Sequence, residues 1–235
     1  MAVVLLIGSG IGLLVSFVSS LIVYLLQNLA QIRSGNVDFS LLLPGTELSL
    51  LPMMWLVVAV LILSVLRHLF RIDRWHGPAD SIYAAHRTDN PINLRIGIGS
   101  TVAAFVSLGG GAPVGQYGPL VHFGAVFGSY LSELFGNRRI TADVFIGCGV
   151  AAAIAAGFHA PIAGVVFAHE AVLRHFSFRA MTPIAIASIT SAWFSSAVFG
   201  GQALFKLDFV LPSLLQLVPT LLASGLFFGL IAILF

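Results

Sequence analysis

Charged side chains are absent from three long runs of the chain: Met1 to Ile32, Leu48 to Leu66 and Ile96 to Ser132. A helix crosses the hydrocarbon core of a bilayer with roughly 20 apolar residues. The first two runs therefore predict one crossing each, over about Val3 to Leu29 and Leu51 to Leu66. A polar loop with Gln31, Arg33, Asn36, Asp38 and Glu47 separates them. The third run is too long for one straight span and contains a glycine-rich break. All three are continuously apolar and do not alternate with period two, which argues for helices and against a membrane β-barrel.

Downstream the pattern is shorter and more broken. Helices are predicted from Gly77 to about His86, from Pro91 to about Leu108 and from Gly118 to about Leu134. Others are predicted over Ala142 to Gly157, Pro161 to Leu173, Pro183 to Phe199 and Leu214 to Phe235. Pro78 suits a first helical turn, where its missing N–H costs nothing. Asn137 to Arg139 and Arg174 to Arg179 read as polar connections. The fold class is thus all-α: a polytopic membrane protein with broken and tilted helices, read as a single transmembrane domain over residues 1–235. The last segment stops at Ile233-Leu234-Phe235 without a polar flank, which predicts that the natural polypeptide continues.

Composition agrees with lipid as the main solvent. The chain is 58% hydrophobic and 9% charged, with a mean hydropathy of +1.02. A soluble domain carries about 25% charged residues. The net charge of +2 is too small to suggest nucleic acid as a partner. A cleaved signal peptide does not fit an N-terminus that lacks a basic start and has so long an apolar run. Arg67, Arg71, Arg74, Arg87 and Arg95 place the 67–95 loop in the cytoplasm, and with it the N-terminus two crossings earlier. Cys148 is the single cysteine, so it reads as a packed thiol. No His, Cys or carboxylate pair has metal-site spacing, so no metal is expected. The spans hold no aspartate pair, HExxH or nucleophile elbow, so the chain does not read as an enzyme.

Three breaks share one polarity: Trp75-His76-Gly77-Pro78, Gly115-Gln116-Tyr117-Gly118-Pro119 and Gly157-Phe158-His159-Ala160-Pro161. In each, a proline stands where a helix would begin. Interrupted helices are tolerated in lipid where the freed backbone lines a cavity or is buried in protein. A helix start aimed into such a cavity presents unpaired N–H groups and roughly half a positive charge. That is an anion site, and broken spans are the sequence pointer to one in transporters. The alternative is that the breaks are kinks with packing roles.

The stretch from Leu108 to Ala171 resembles the CLC family of chloride channels and chloride/proton antiporters. A glycine run followed by Gly115-x-x-Gly118-Pro119 is similar to that family's Gly-(Arg/Lys)-Glu-Gly-Pro turn. The run from Gly147 to Glu170 is similar to its signature for the next helix pair, and this match is long and specific. His76-Gly77-Pro78 falls, more weakly, where the family opens another half-helix. The resemblance implies one half of a CLC-like inverted-repeat architecture, with the remaining anion-binding segment in the other half.

The resemblance also implies roles. Anion-binding candidates are His76, Gly77, Gln116, Tyr117, Gly118 and Phe158, with backbone N–H groups near Gly77, Gly118 and Phe158 as the donors. No cofactor is implied beyond a bound chloride or similar anion. Tyr117 takes the gate position, where the family has a glutamate. A phenol has a pKa near 10, so at neutral pH it can donate to an anion but not readily carry protons. Ala171 falls at the inner glutamate position, and Glu170 at the glutamate before it. Glu170 and Arg174, four residues apart, could pair as a buried ionisable support; Glu170 could instead line a vestibule. His76 could alternatively be an ordinary loop histidine, and His122 and His159 read as packing residues. The expected function is passive, channel-like anion transport. Alternatives are chloride/proton exchange or a non-conducting membrane subunit. Lipid, a small inorganic anion and a second copy of the chain are the expected partners, with the dimer contact between Gly164 and Phe199.

Overall fold

The structure, a computed structural model, describes residues 2–34, 40–43, 46–49, 51–86, 92–135, 141–200 and 214–234. It divides into two compact units, Met1–Gln202 and Ala203–Phe235. The described part of the second unit is one helix, α9 (Leu214–Leu234), whose Leu217–Leu234 stretch has a mean hydropathy of 2.3.

The first unit opens with α1 (Ala2–Ser34), a ribbon of β1 (Ser40–Leu43) and β2 (Thr46–Ser49), and α2 (Leu51–Phe70). Then come α3 (Pro78–Ala85), α4 (Leu94–Gly109) and α5 (Tyr117–Phe135). It continues through α6 (Ala142–Phe158) and α7 (Pro161–Phe167), ending in α8 (Phe178–Phe199). A π-helical turn, Ala168–Leu173, prolongs α7. Of these helices α1, α2 and α8, with α9, are long and apolar enough to cross a membrane. At 33 residues α1 rises about 50 Å, more than the ~30 Å hydrocarbon core, so it tilts or projects beyond it.

The centre is α6, buried without interruption from Val144 to Gly157. Its Ala/Gly sequence explains how. Small residues let helix backbones approach closely, which is how helices pack where lipid removes the hydrophobic driving force. A Cβ added to Gly149 would lie 2.0 Å from the Gly124 carbonyl oxygen, and one on Gly124 would lie 2.4 Å from Gly149 O. On its other side α6 meets α8, and α8 meets α1, through hydroxyls. Ser191 Oγ donates to Ala152 O (2.6 Å) and Ser195 Oγ to Ala156 O (3.3 Å). Ser16 Oγ donates to Ser191 O (2.8 Å), and Ser20 Oγ to Ser195 Oγ (2.9 Å). Spacings of four on each helix stack these serines into one ladder through the three-helix wall.

The structure corrects the sequence reading at several points. The 31–50 loop contains an antiparallel ribbon pairing Ser40 with Ser49 and Leu43 with Thr46. Here Leu41 to Leu43 form a short apolar strand inside an otherwise polar stretch, too brief for periodicity to reveal. Helix α8 begins at Phe178, five residues before Pro183, so the proline lies inside the helix. Residues 87–91, 136–140 and 201–213 lie outside the described residues, and with them Arg87, the Pro91 start and Asn137 to Arg139. The Glu170 to Arg174 pair does not form. The π turn changes the i, i+4 geometry, and Arg174 leaves the helix in the left-handed region (φ 57°). Both side chains are exposed, and neither meets an opposite charge among the described residues.

Candidate anion site

The three breaks come together. Gly118 faces Pro78: a Cβ there would lie 3.4 Å from Pro78 Cγ. The Tyr117 ring meets Phe158 at a centroid distance of 6.2 Å and stands edge-on to Phe167 at 5.3 Å. The starts of α3 and α5 therefore adjoin the α6–α7 break. His159 makes the turn at that break in the left-handed region (φ 52°), which few residues other than glycine adopt and which costs some backbone energy.

Each break offers donors for a specific reason. A helix leaves its first N–H groups without an intrahelical acceptor. At α5 these belong to Tyr117 and Gly118, because Pro119 has none and Leu120 N–H already bonds Gln116 O (3.2 Å). At α7 they belong to Ile162 and Ala163, since Gly164 N–H bonds Ala160 O (3.0 Å). At α3 the open donor is Ala79.

Two predicted donors have other roles. The Gly77 N–H donates to Asp80 Oδ2 at 2.8 Å, while Asp80 Oδ1 pairs with Arg74. An internal carboxylate thus occupies the start of α3. Sequence reasoning missed it, although Asp80, three residues past the Gly77 cap, is a capping-box signal. Phe158 is the last residue of α6, so its N–H lies inside a helix. It reaches the site through its ring, and the open donors of that break lie four and five residues later.

The remaining candidates lie close by. His76 is half-buried and its backbone N–H donates to Ser100 Oγ (2.9 Å). Gln116 is half-buried beside Tyr117, which is 38% exposed. The Tyr117 hydroxyl has no hydrogen-bond partner among the described residues, so it is free to donate. A cleft of about 640 Å³ opens beside α3, lined by Arg74, His76, Asp80, Tyr83 and Asn93 among others. Electrostatically the place joins three helix starts, each partly positive, with the negative end of α6. Ser191 and Ser195 bond α6 carbonyls near that end, at Ala152 and Ala156, and blunt its field.

The family model described as voltage gated chloride channel matches residues 56–235. The voltage-gated ClC-type chloride channel ClcB of Yersinia pseudotuberculosis is 24% identical over 212 residues, covering 86% of this chain and 51% of that protein. Chloride channel protein CLC-f of Arabidopsis thaliana is 32% identical over 140 residues, covering 57% of this chain and 18% of that protein. Among solved structures, a CLC-type fluoride/proton antiporter aligns with a TM-score of 0.70 at 24% identity, over 97% of this chain and 55% of that one. A slow cyanobacterial Cl⁻/H⁺ antiporter aligns at 0.66 and 22%, over 89% and 50%. The chain spans about half the length of the ClcB relative and of both antiporters, and the shared fold is the largely helical, broken-span architecture described above. Matched over more than three quarters of its length by the family model, this membrane protein belongs to the voltage-gated chloride channel family, the CLC family.

Proposed function

We propose that the chain forms half of a transmembrane anion pathway, conducting chloride or a similar small inorganic anion passively. The observation that carries this reading is the convergence of Tyr117 and Gly118 with Pro78 and the α6–α7 break, which gathers open backbone donors at one place. Tyr117 stands where a carboxylate would compete with the anion and carry protons. Its neutral hydroxyl and unpaired first-turn N–H groups instead favour an anion throughout the neutral range. Binding of this kind must be strong enough to admit the ion and weak enough to release it. Gln116, Gly77 and His76 shape the approach, and Phe158 walls it.

The test is flux from chloride-loaded proteoliposomes with simultaneous recording of external pH. Wild-type protein is expected to release chloride without linked proton movement. Tyr117→Ala is expected to change the rate several-fold, and Tyr117→Glu to introduce a pH dependence. Proton uptake in fixed ratio to chloride release sinks the passive reading. It would favour coupled exchange, a second reading motivated by the two antiporters that share the fold. Absence of flux in every variant would favour a non-conducting subunit.

The same reading assigns the 67–95 loop and the N-terminus to the cytoplasm. It assigns a homodimer contact to the outward face of α7 and α8, where Ile162, Val166, Ile189 and Trp193 are exposed. Gly164 is not available for it, being packed against Ala151 and Ser188.

A further inference from the structure

The glycine run Gly109-Gly110-Gly111 at the end of α4 takes no part in the anion site, yet it borders an apolar cleft of about 360 Å³ between α1, α2 and α4. Leu29, Trp55 and Gly109 line its mouth, and Ile22, Ile62 and Val102 line its far end. On each of the three helices, mouth and far end are seven residues apart, two turns or about 10 Å along the axis. One leaflet of the hydrocarbon core is about 15 Å deep, half of ~30 Å. The cleft therefore runs through most of a leaflet. Ala59 and Phe105 form a buried back wall, whereas Leu25, Val58 and Ile62 on its flanks are exposed. Because α1 and α2 are long and apolar enough to span the membrane, those flanks face lipid.

The mouth is charged. Arg33 lies one turn beyond Leu29, half-buried, and its Nη1 donates to Gly109 O at 3.3 Å. The guanidinium lies over Gly111, where a Cβ would stand 2.7 Å from Nη1. A Cβ on Gly109 would stand 3.2 Å from Leu29 Cδ1 and narrow the entrance. The glycines thus keep the mouth open and leave room for the guanidinium. Among the described residues no carboxylate is within ion-pair distance of Arg33. Trp55 is of the residue type that settles at the headgroup level of a bilayer. A cation and an indole therefore stand at one end of a slot that is apolar below them.

We propose that this cleft is a phospholipid site: one acyl chain lies along the slot, and Arg33 binds the phosphate above it. The apolar lining cannot select a lipid by itself. Lipid tails are as apolar as leucine, so a chain that leaves the bilayer for the cleft gains little hydrophobic energy. It does give the lining the dispersion contacts that close packing supplies elsewhere. Selection falls to the headgroup. A guanidinium carries five N–H donors in a planar fork, and the bond to Gly109 O uses one. The fork matches two phosphate oxygens at once, and charge-assisted bonds of this kind are about twice as strong as neutral ones. Recognition by a basic group in a pocket between membrane helices is how headgroups are bound. The site is independent of the anion reading, because none of its residues belongs to the three breaks.

The experiment is native mass spectrometry of the purified protein, released from detergent after equilibration with phosphatidylglycerol or with a diacylglycerol of the same chains. The protein is expected to retain one phosphatidylglycerol per chain and not the diacylglycerol, which lacks the phosphate. Arg33→Gln should weaken retention about fivefold. Ile62→Trp, which fills the far end and leaves Arg33 in place, should weaken it as well. Thermal unfolding in the same detergent checks that both variants fold. A second measurement leaves cleft and mouth intact: Trp75→Phe with Trp193→Phe makes Trp55 the sole tryptophan. Brominated phosphatidylglycerol diluted into phosphatidylcholine bilayers should then quench Trp55 more than brominated phosphatidylcholine at the same dilution. Equal retention of the diacylglycerol overturns the role of Arg33, and so does equal quenching by the two brominated lipids. Retention unchanged in both variants places the lipid elsewhere and overturns the site. A dimer that carries no lipid, and in which Trp55 is not quenched, overturns it in favour of a second copy of the chain on this face.

Discussion

Gly149→Ala tests whether the α5–α6 contact is what places Tyr117. The added methyl would sit 2.0 Å from the Gly124 carbonyl oxygen, whereas ordinary contact begins near 3.4 Å. The two helices must therefore part by about 1.4 Å, and neither can yield through a flexible side chain because the obstacle is backbone. Alanine would gain up to about 1 kcal/mol of helix propensity. Overpacking of a tight contact costs about 1–3 kcal/mol, so the net effect is expected to be a loss of about 1–2 kcal/mol. Gly10 supplies the control. A Cβ there meets nothing within 4 Å, so Gly10→Ala should be neutral or slightly stabilising. Stability would be followed by thermal unfolding in one detergent, and site geometry by chloride binding, since Tyr117 rides on the displaced helix. If Gly149→Ala unfolds no earlier than Gly10→Ala and binds chloride unchanged, close glycine packing does not hold α5 in place.

Three further outcomes follow. Asp80→Asn removes the carboxylate that occupies the start of α3, while its amide oxygen can still cap Gly77 N–H. Chloride affinity should rise about tenfold, or about 1.4 kcal/mol, at a stability cost below about 1 kcal/mol, and lower affinity would contradict the competition. Ser191→Ala deletes the 2.6 Å bond to Ala152 O and should cost about 0.6–1.7 kcal/mol in a denaturation series. Cys148, 1% exposed, should resist maleimide in the folded protein and react once the protein is denatured; rapid labelling of folded protein would mean that α6 is not enclosed.

Much of the architecture was legible because membranes impose a simple code. Apolar run length located α1, α2 and α9, and proline after a glycine-containing turn located the starts of α3, α5 and α7 to within about one residue. The same code was silent where apolarity does not change. The apolar segment begins at Pro183, yet α8 starts five residues earlier and accommodates that proline internally. The π turn at Ala168–Leu173 leaves no mark in composition, so the Glu170 to Arg174 spacing was read with the wrong helical period. In the site, the sequence reads Tyr117 and the glycines around it as one turn, and α5 starts at Tyr117. It did not reveal that Asp80 folds back on Gly77, or that His122 reaches Ser81 across two helices. Those contacts join residues 3 and 41 positions apart, and only the second needs tertiary structure.

The serine ladder has a consequence for how the chain is made. Hydroxyls that bond α1 and α6 also lower the apolarity of α8, whose mean hydropathy is 1.3 against 2.2 for α1 and α2. Entry of a nascent segment into the bilayer from the translocation machinery depends on summed residue hydrophobicity. Alone, α8 is a weak substrate for that step. With α6 already synthesised and carrying acceptors for its hydroxyls, and α1 carrying hydroxyls that donate to it, it is a better one. Membrane entry of α8 should therefore depend on the preceding helices, and a fusion reporter carrying α8 alone should insert less efficiently than one carrying α1 through α8.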